Sequence, residues 1–329
     1  MAFYRVRAGS ATRVSPGRRR ISDFRSSYLE VTMFDVGAGE AISITAPTGQ
    51  SILVDGGCRR YARLANALAS QIRPRSLTAF IASHPHSDHL NAIQRLVEHR
   101  PTLLAPRVRF YESGEDALRD DGTQQTWWRN LGGALRAANV RRSTVTRLIH
   151  PRLLGPRAQL SLYLYPGAYT PLDYRSVFMQ LTFGQARFLF TGDSNCDYEN
   201  LLVDRYGARG LLGAEVLKVT HHGSQNGTST RLAAAVRPGI AFASTYNDRG
   251  HQWETVARNR LPSRCRNFET WARGDITIRT DGGTYYRDAL IEVRTRRPGL
   301  LAGALGLPQA RGQYAGDQQT SRSQRPDCG

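Results

Sequence analysis

The sequence predicts a mixed α/β fold, and three observations carry that expectation. Short β-rich runs alternate with helix-period segments through the middle of the chain. The second half repeats the grammar of the first. Polar, histidine-bearing segments follow strand ends one after another, and in sheets of this class the carboxyl ends of strands are where sites are built.

In chain order, residues 28–36 are β-rich and close on the turn Gly37-Ala38-Gly39. Residues 41–46 and 51–54 follow as strands about the turn Pro47-Thr48-Gly49. Residues 60–72 place Leu64, Leu68 and Ile72 on one face, which predicts a helix. Residues 77–82 form a short apolar strand that delivers a histidine cluster at its end. Helical period resumes at residues 91–98, so residues 84–89 are expected to be a loop. In the second half, residues 177–183 and 186–191 predict a hairpin around Gly184-Gln185 that ends at Gly192-Asp193. Residues 196–206 read as a helix. Residues 214–220 read as a strand ending at His221-His222-Gly223-Ser224, and residues 240–244 as a strand entering a polar loop that contains His251.

Composition sets the boundaries. Of 329 residues, 40% are hydrophobic, enough for a sizeable core. No apolar stretch reaches the roughly 20 residues of a membrane helix, and the arginine-studded N-terminus has no apolar h-region, so a cytoplasmic protein without membrane contact is expected. Residues 1–27 read as a basic arm or lead-in, residues 28–295 as the globular unit, and residues 296–329, rich in Gly, Pro, Gln, Ser and Arg, as a disordered tail. Cys58, Cys196, Cys265 and Cys328 have no C-x-x-C spacing and read as reduced, structural thiols. The formal charge of +18 suggests an anionic partner, nucleic acid or another polyphosphate. Lys218 is the only lysine, a usage that resembles the codon bias of a high-GC genome.

Six of the eight histidines fall in three places: His84, His86 and His89; His221 and His222; and His251. Imidazoles with carboxylates suit zinc, manganese or iron. In an extended segment His84 and His86 point to one side and can share an ion, while Asp88 and His89, beyond the turn, are placed for a second. Asp193, after a strand and a glycine, is the natural bridge between two ions about 3.5–4 Å apart.

The string His84-Pro85-His86-Ser87-Asp88-His89 resembles the signature of the metallo-β-lactamase superfamily. Further segments are similar to the hydrolase domain of ComEC-type competence proteins: Phe34-Asp35-Val36-Gly37-Ala38-Gly39-Glu40-Ala41, Leu53-Val54-Asp55-Gly56-Gly57, Phe190-Thr191-Gly192-Asp193 and Leu217-Lys218-Val219-Thr220-His221-His222-Gly223-Ser224. Asn247-Asp248-Arg249-Gly250-His251 falls where that family has an asparagine and a histidine segment. The resemblance implies a four-layer αββα sandwich holding two divalent ions, zinc first and manganese second. His84 and His86 would bind one, Asp88, His89 and His222 the other, with Asp193 bridging. Asp35, Asp55 and Ser176 would stand behind the ligands. His221 and His251 would act on the substrate with Asp88, and Ser224 and Asn247 would bind it. Two departures from the family pattern are visible: between the first cluster and Asp193 the histidines are His99 and His150, neither near that aspartate in sequence, and no stretch of the sequence given corresponds to the membrane channel of ComEC.

The expected activity is that of a phosphodiesterase or nuclease on DNA or RNA, using a hydroxide generated between the ions. Arginines, including Arg141-Arg142 and those of residues 5–25, suit phosphate, and Trp127, Trp128 and Tyr174 are candidates for base stacking or for core packing. Two other readings stand beside this one: a hydrolase of lactone, carboxylic or phosphocholine-type esters, and a non-catalytic nucleic-acid-binding component of a larger assembly.

Overall fold

The computed structural model describes residues 2–7, 10–14, 28–57, 60–114, 122–167, 174–246, 253–283 and 289–296. Asn247 and His251, expected to contact the substrate, lie outside the described residues. Two sheets face each other. The first has ten strands, in the order β2 (Ser10–Val14), β1 (Ala2–Arg7), β16 (Ala289–Arg296), β15 (Asp275–Thr280), β3 (Leu29–Met33), β4 (Ala41–Thr45), β5 (Ser51–Asp55), β6 (Leu77–Ile81), β7 (Leu104–Glu112) and β8 (Arg141–Thr144). The second has six: β14 (Arg266–Glu269), β13 (Ile240–Ala243), β12 (Val216–Lys218), β11 (Ala186–Phe190), β10 (Phe178–Phe183) and β9 (Ala158–Tyr163).

Strand alternation builds the layers. Along β5, Ile52 and Val54 enter the core between the sheets while Leu53 faces the helices; along β11, Phe188 and Phe190 point in and Leu189 out. Helices α1 (Tyr61–Gln71), α2 (Ser87–His99) and α3 (Gly122–Ala137) cover the outer face of the first sheet through Leu64, Leu68, Ile93, Leu96 and Leu131. Helices α4 (Cys196–Tyr206) and α5 (Thr230–Val236) cover the second through Tyr198, Leu202 and Leu232. Three cores between four layers are the expected αββα sandwich.

Within each sheet a parallel block positions the site. Strands β5 to β8 pair in parallel, as do β11 to β14, each pair joined by a crossover. Their carboxyl ends deliver Asp55, His84, Asp193, His221, His222 and Ser244 to one edge of the sandwich.

Three differences from expectation have physical reasons. Helix α2 begins at Ser87, so Asp88 and His89 sit in its first turn, where a loop was expected; the buried row His89, Ile93, Leu96 and Val97 extends its apolar stripe to the N-terminus. Residues 1–27, read as a basic lead-in, contribute the β1–β2 hairpin, whose β1 pairs with β16 nearly three hundred positions away. Pairing over that distance leaves no local period to read. Cys196 is disulfide-bonded, against the expectation of reduced thiols, while Cys265 is a buried free thiol. No helix of the described residues is long and apolar enough to cross a membrane.

Candidate metal centre

The edge of the sandwich gathers two overlapping donor sets. One ligand atom each from His84, His89 and Asp193 lies within 4.8 Å of the others, and so does one each from Asp88, His89 and His222. His89 belongs to both. His86 stands next to the first set, its Nδ1 3.0 Å from Nε2 of His84. Asp193 Oδ2 lies 3.1 Å from Nε2 of His89 and 3.1 Å from Nε2 of His222, between the two imidazoles.

Each inward nitrogen is aimed by a bond on the far side of its ring. Asp55 is fully buried; its Oδ2 faces His89 Nδ1 at 2.8 Å, while it accepts from the Ser83 hydroxyl at 2.7 Å and, through Oδ1, from the Ser83 N–H at 2.9 Å. His222 Nδ1 donates to the Ser244 carbonyl at 2.9 Å. Both imidazoles therefore turn Nε2 toward Asp193, the tautomer that a metal ligand needs. The Ser176 hydroxyl accepts from the Asp193 N–H at 3.0 Å and holds the loop that carries it.

The backbone is strained at the same places. Asp55, His221 and His222 have φ of 53°, 47° and 54°, left-handed values that cost a non-glycine residue on the order of 1–3 kcal/mol. Such cost is tolerated where packing over-determines the geometry, and it falls here on three residues of one site.

Electrostatics show what the cluster is suited to hold. Burial pulls the His89 imidazole down, but Asp193, Asp88 and Asp55 together push it well above its ordinary value. Burial pushes Asp193 up, yet His222, His89 and Lys218 hold it well below the usual carboxylate range. Burial and the neighbouring imidazoles hold His84 well below its ordinary value. Carboxylates around buried imidazoles call for positive charge at their centre, and the nitrogen and oxygen donors present fit divalent zinc or manganese. Replacing Asp55 by asparagine keeps the shape and removes the charge behind His89. Zinc affinity, measured by competition with a chelator, is expected to fall by about 10–100-fold, with the denaturation midpoint little changed; unaltered affinity would rule out the orienting role.

The other sequence candidates are placed less centrally. His221 is half-buried beside the centre, its Nδ1 2.9 Å from Asn226 Oδ1, and burial lowers its pKa. Tyr174 stands near it, with ring centroids 6.0 Å apart. Ser224 donates weakly to Glu254 at 3.4 Å. Asp35 does not stand behind a ligand: its carboxylate pairs with Arg60 at 2.6 Å and its N–H donates to Asp275. Asp275 is 240 positions away, so nothing local in the sequence shows that attachment. His150 bonds with Ser161 and lines a separate cavity of about 830 Å³ with Arg152 and Arg209, so it is no third ligand. Ser176 packs against Gly192, where an added Cβ would lie 2.6 Å from its hydroxyl oxygen.

The aromatic candidates also divide. Trp128 is buried in the core under α3 and Trp127 packs against it. Arg142 pairs with Glu112 and lies over Trp128. Sequence reasoning missed Trp271, which is 52% exposed and packs edge-on to Tyr246 at 6.0 Å. Tyr246 follows by two positions the Ser244 carbonyl that aims His222, and the Arg60 guanidinium lies 5.6 Å from its ring. Only the end of β13 in three dimensions links these residues to the centre.

A family model described as Metallo-beta-lactamase superfamily matches residues 36–245. No curated protein matches. Among solved structures, the metallo-beta-lactamase fold protein YhfI from Bacillus subtilis is 14% identical at TM-score 0.47, covering 73% of this chain and 96% of its own. A CmlA beta-hydroxylase variant is 16% identical at TM-score 0.50, covering 76% and 54%. The short form of human tRNase Z is 13% identical at TM-score 0.41, covering 64% and 91%. At these identities the likeness is one of fold.

Proposed function

Because the chain belongs to the metallo-β-lactamase superfamily, we propose that it is a dinuclear metal-dependent phosphodiesterase of the ComEC-type branch, acting on nucleic acid. The observation that carries this reading is the pair of overlapping donor sets, His84, His89 and Asp193 with Asp88, His89 and His222. When bound, two divalent ions supply Lewis acidity and a hydroxide nucleophile at neutral pH.

The chain's own residues do the rest. Asp55 and the Ser244 carbonyl fix the tautomers of His89 and His222. Asp88, partly exposed in the first turn of α2, is positioned to accept a proton from the attacking water as well as to ligate. His221, hydrogen-bonded to Asn226 and half-buried beside the centre, is the candidate contact for a phosphate oxygen. A formal charge of +18, nearly all arginine, favours a phosphodiester over a neutral ester.

The edge-on pair Trp271 and Tyr246, with Arg60 over the latter, offers a stacking surface for a base next to the scissile phosphate. Trp271→Ala is expected to weaken binding of a single-stranded 12-mer on the order of 10–100-fold and to leave an abasic oligomer unaffected, by fluorescence anisotropy. Equal loss on both would assign the residue to structure.

The reading itself is tested by incubating the protein with linear, circular and single-stranded DNA and with RNA, plus zinc or manganese, beside a panel of lactones and carboxylic esters. Cleavage of nucleic acid that disappears in the double change His84→Ala, Asp88→Ala is expected. Turnover confined to the ester panel would replace the substrate assignment. DNA binding without turnover would favour a non-catalytic role.

A further inference from the structure

We infer that Lys218, the chain's only lysine, is a positioning residue for Asp193, with Glu40 as its buried counter-charge. The inference rests on the metal-centre reading and adds to it a residue whose ammonium meets the carboxylate of Asp193.

The geometry joins three segments. Lys218 closes β12 and is fully buried. Its ammonium donates to the Gly192 carbonyl at 2.8 Å and lies 3.5 Å from Asp193 Oδ1. It is 2.6 Å from Glu40 Oε2, and Glu40 is itself 1% exposed. Glu40 directly precedes β4 of the first sheet, whereas Gly192 and Asp193 follow β11 of the second. One ammonium therefore ties the two sheets together at the edge where the site forms. It engages Oδ1 of Asp193 while Oδ2 faces His89 and His222. The carboxylate is held from behind by one oxygen and presented by the other.

Residue choice supports the assignment. Lysine and arginine together number 45, and only this position carries lysine. An ammonium offers three donors from one compact atom, and three oxygens lie within 3.5 Å of it here. A guanidinium needs a wider planar slot and favours a bidentate carboxylate. A buried ion pair seldom adds net stability over apolar packing, so structural need alone does not account for two desolvated charges at this place.

Uniqueness also supplies the probe. Lysine labelled with ¹³C and ¹⁵N gives a single side-chain signal from the full chain. On titration with zinc this signal is expected to move between a metal-free and a loaded position, saturating at two equivalents. Alongside, cobalt uptake is followed by its visible absorption in Lys218→Arg, and in the double change Glu40→Gln, Lys218→Met, which removes both charges together. Both variants are expected to bind cobalt about 10–100-fold more weakly with a shifted spectrum, while the double change keeps the wild-type denaturation midpoint. A lysine signal that stays fixed as two zinc ions bind overturns the inference, whatever the variants do. A folded double variant with wild-type cobalt affinity and spectrum overturns it equally. Failure of the wild-type protein to take up any metal would instead refute the metal-centre reading on which it rests.

Discussion

Replacing Asp193 by asparagine is expected to remove most metal and to lower hydrolysis on the order of 10³-fold or more. The exchange is nearly isosteric, and the backbone N–H that meets Ser176 is untouched, so the loop keeps its place. What changes is charge. Asp193 Oδ2 is 3.1 Å from both His89 and His222, and Asp193 is the carboxylate set between those two imidazoles. His222, His89 and Lys218 keep it ionised despite burial. A neutral amide would present either a weaker acceptor or an N–H donor to the two nitrogens, and neither attracts a divalent cation comparably. Metal content by elemental analysis, from two ions toward fewer than one, is the direct measure, with initial rates on a cleaved oligonucleotide beside it. Two tightly held ions and wild-type turnover in the variant would take Asp193 out of the centre.

The second large effect falls on the fold and reaches the site through it. Gly39 has φ +88°, and a Cβ added there would lie 1.7 Å from the Asp88 carbonyl oxygen and 2.7 Å from its carbon. Both are backbone atoms, so no side chain can yield. Gly39→Ala is expected to cost about 4 kcal/mol or more, read as a lowered denaturant midpoint or as failure to fold. Displacing Asp88 also disturbs the turn that carries His89, so a surviving variant is expected to hold metal poorly. The Gly39 carbonyl further accepts from Ser244 at 2.6 Å, which couples the same loop to the residue that aims His222. Gly133→Ala in α3 serves as the control: an added Cβ there meets nothing within 4 Å, and helix propensity predicts a gain of roughly 0.5–1 kcal/mol. Similar losses in both variants would show that the close approach at Gly39 is not the cause.

Much of the architecture was legible because it is written at short range. Helix α4 occupies residues 196–206 as its period indicates, strands β4, β6, β10, β11 and β13 fall within the predicted runs, and β5 runs one residue past its own, to Asp55. The start of α2 was missed because Ser87 and Asp88 look like loop residues, whereas the packing of His89 and Ile93 decides that the helix has already begun. The N-terminal hairpin was missed because its partner is β16, and Trp271 was missed because its nearness to the centre depends on where β13 ends.

The sequence by itself determined the mixed α/β class, the histidine string, and the candidacy of Asp193, His221 and His222, because each rests on residue type and spacing within a few positions. Tertiary structure alone decided that His89 would be common to both donor sets, that His89 would be the imidazole Asp55 meets, and that Asp35 would pair with Arg60 away from the ligands. It also decided that Lys218 would meet Glu40 across the two sheets. The reason is physical: a buried charge is stabilised by whatever the folded chain brings within a few ångströms. That neighbour is chosen by strand pairing and sheet packing, to which no local period in the sequence corresponds.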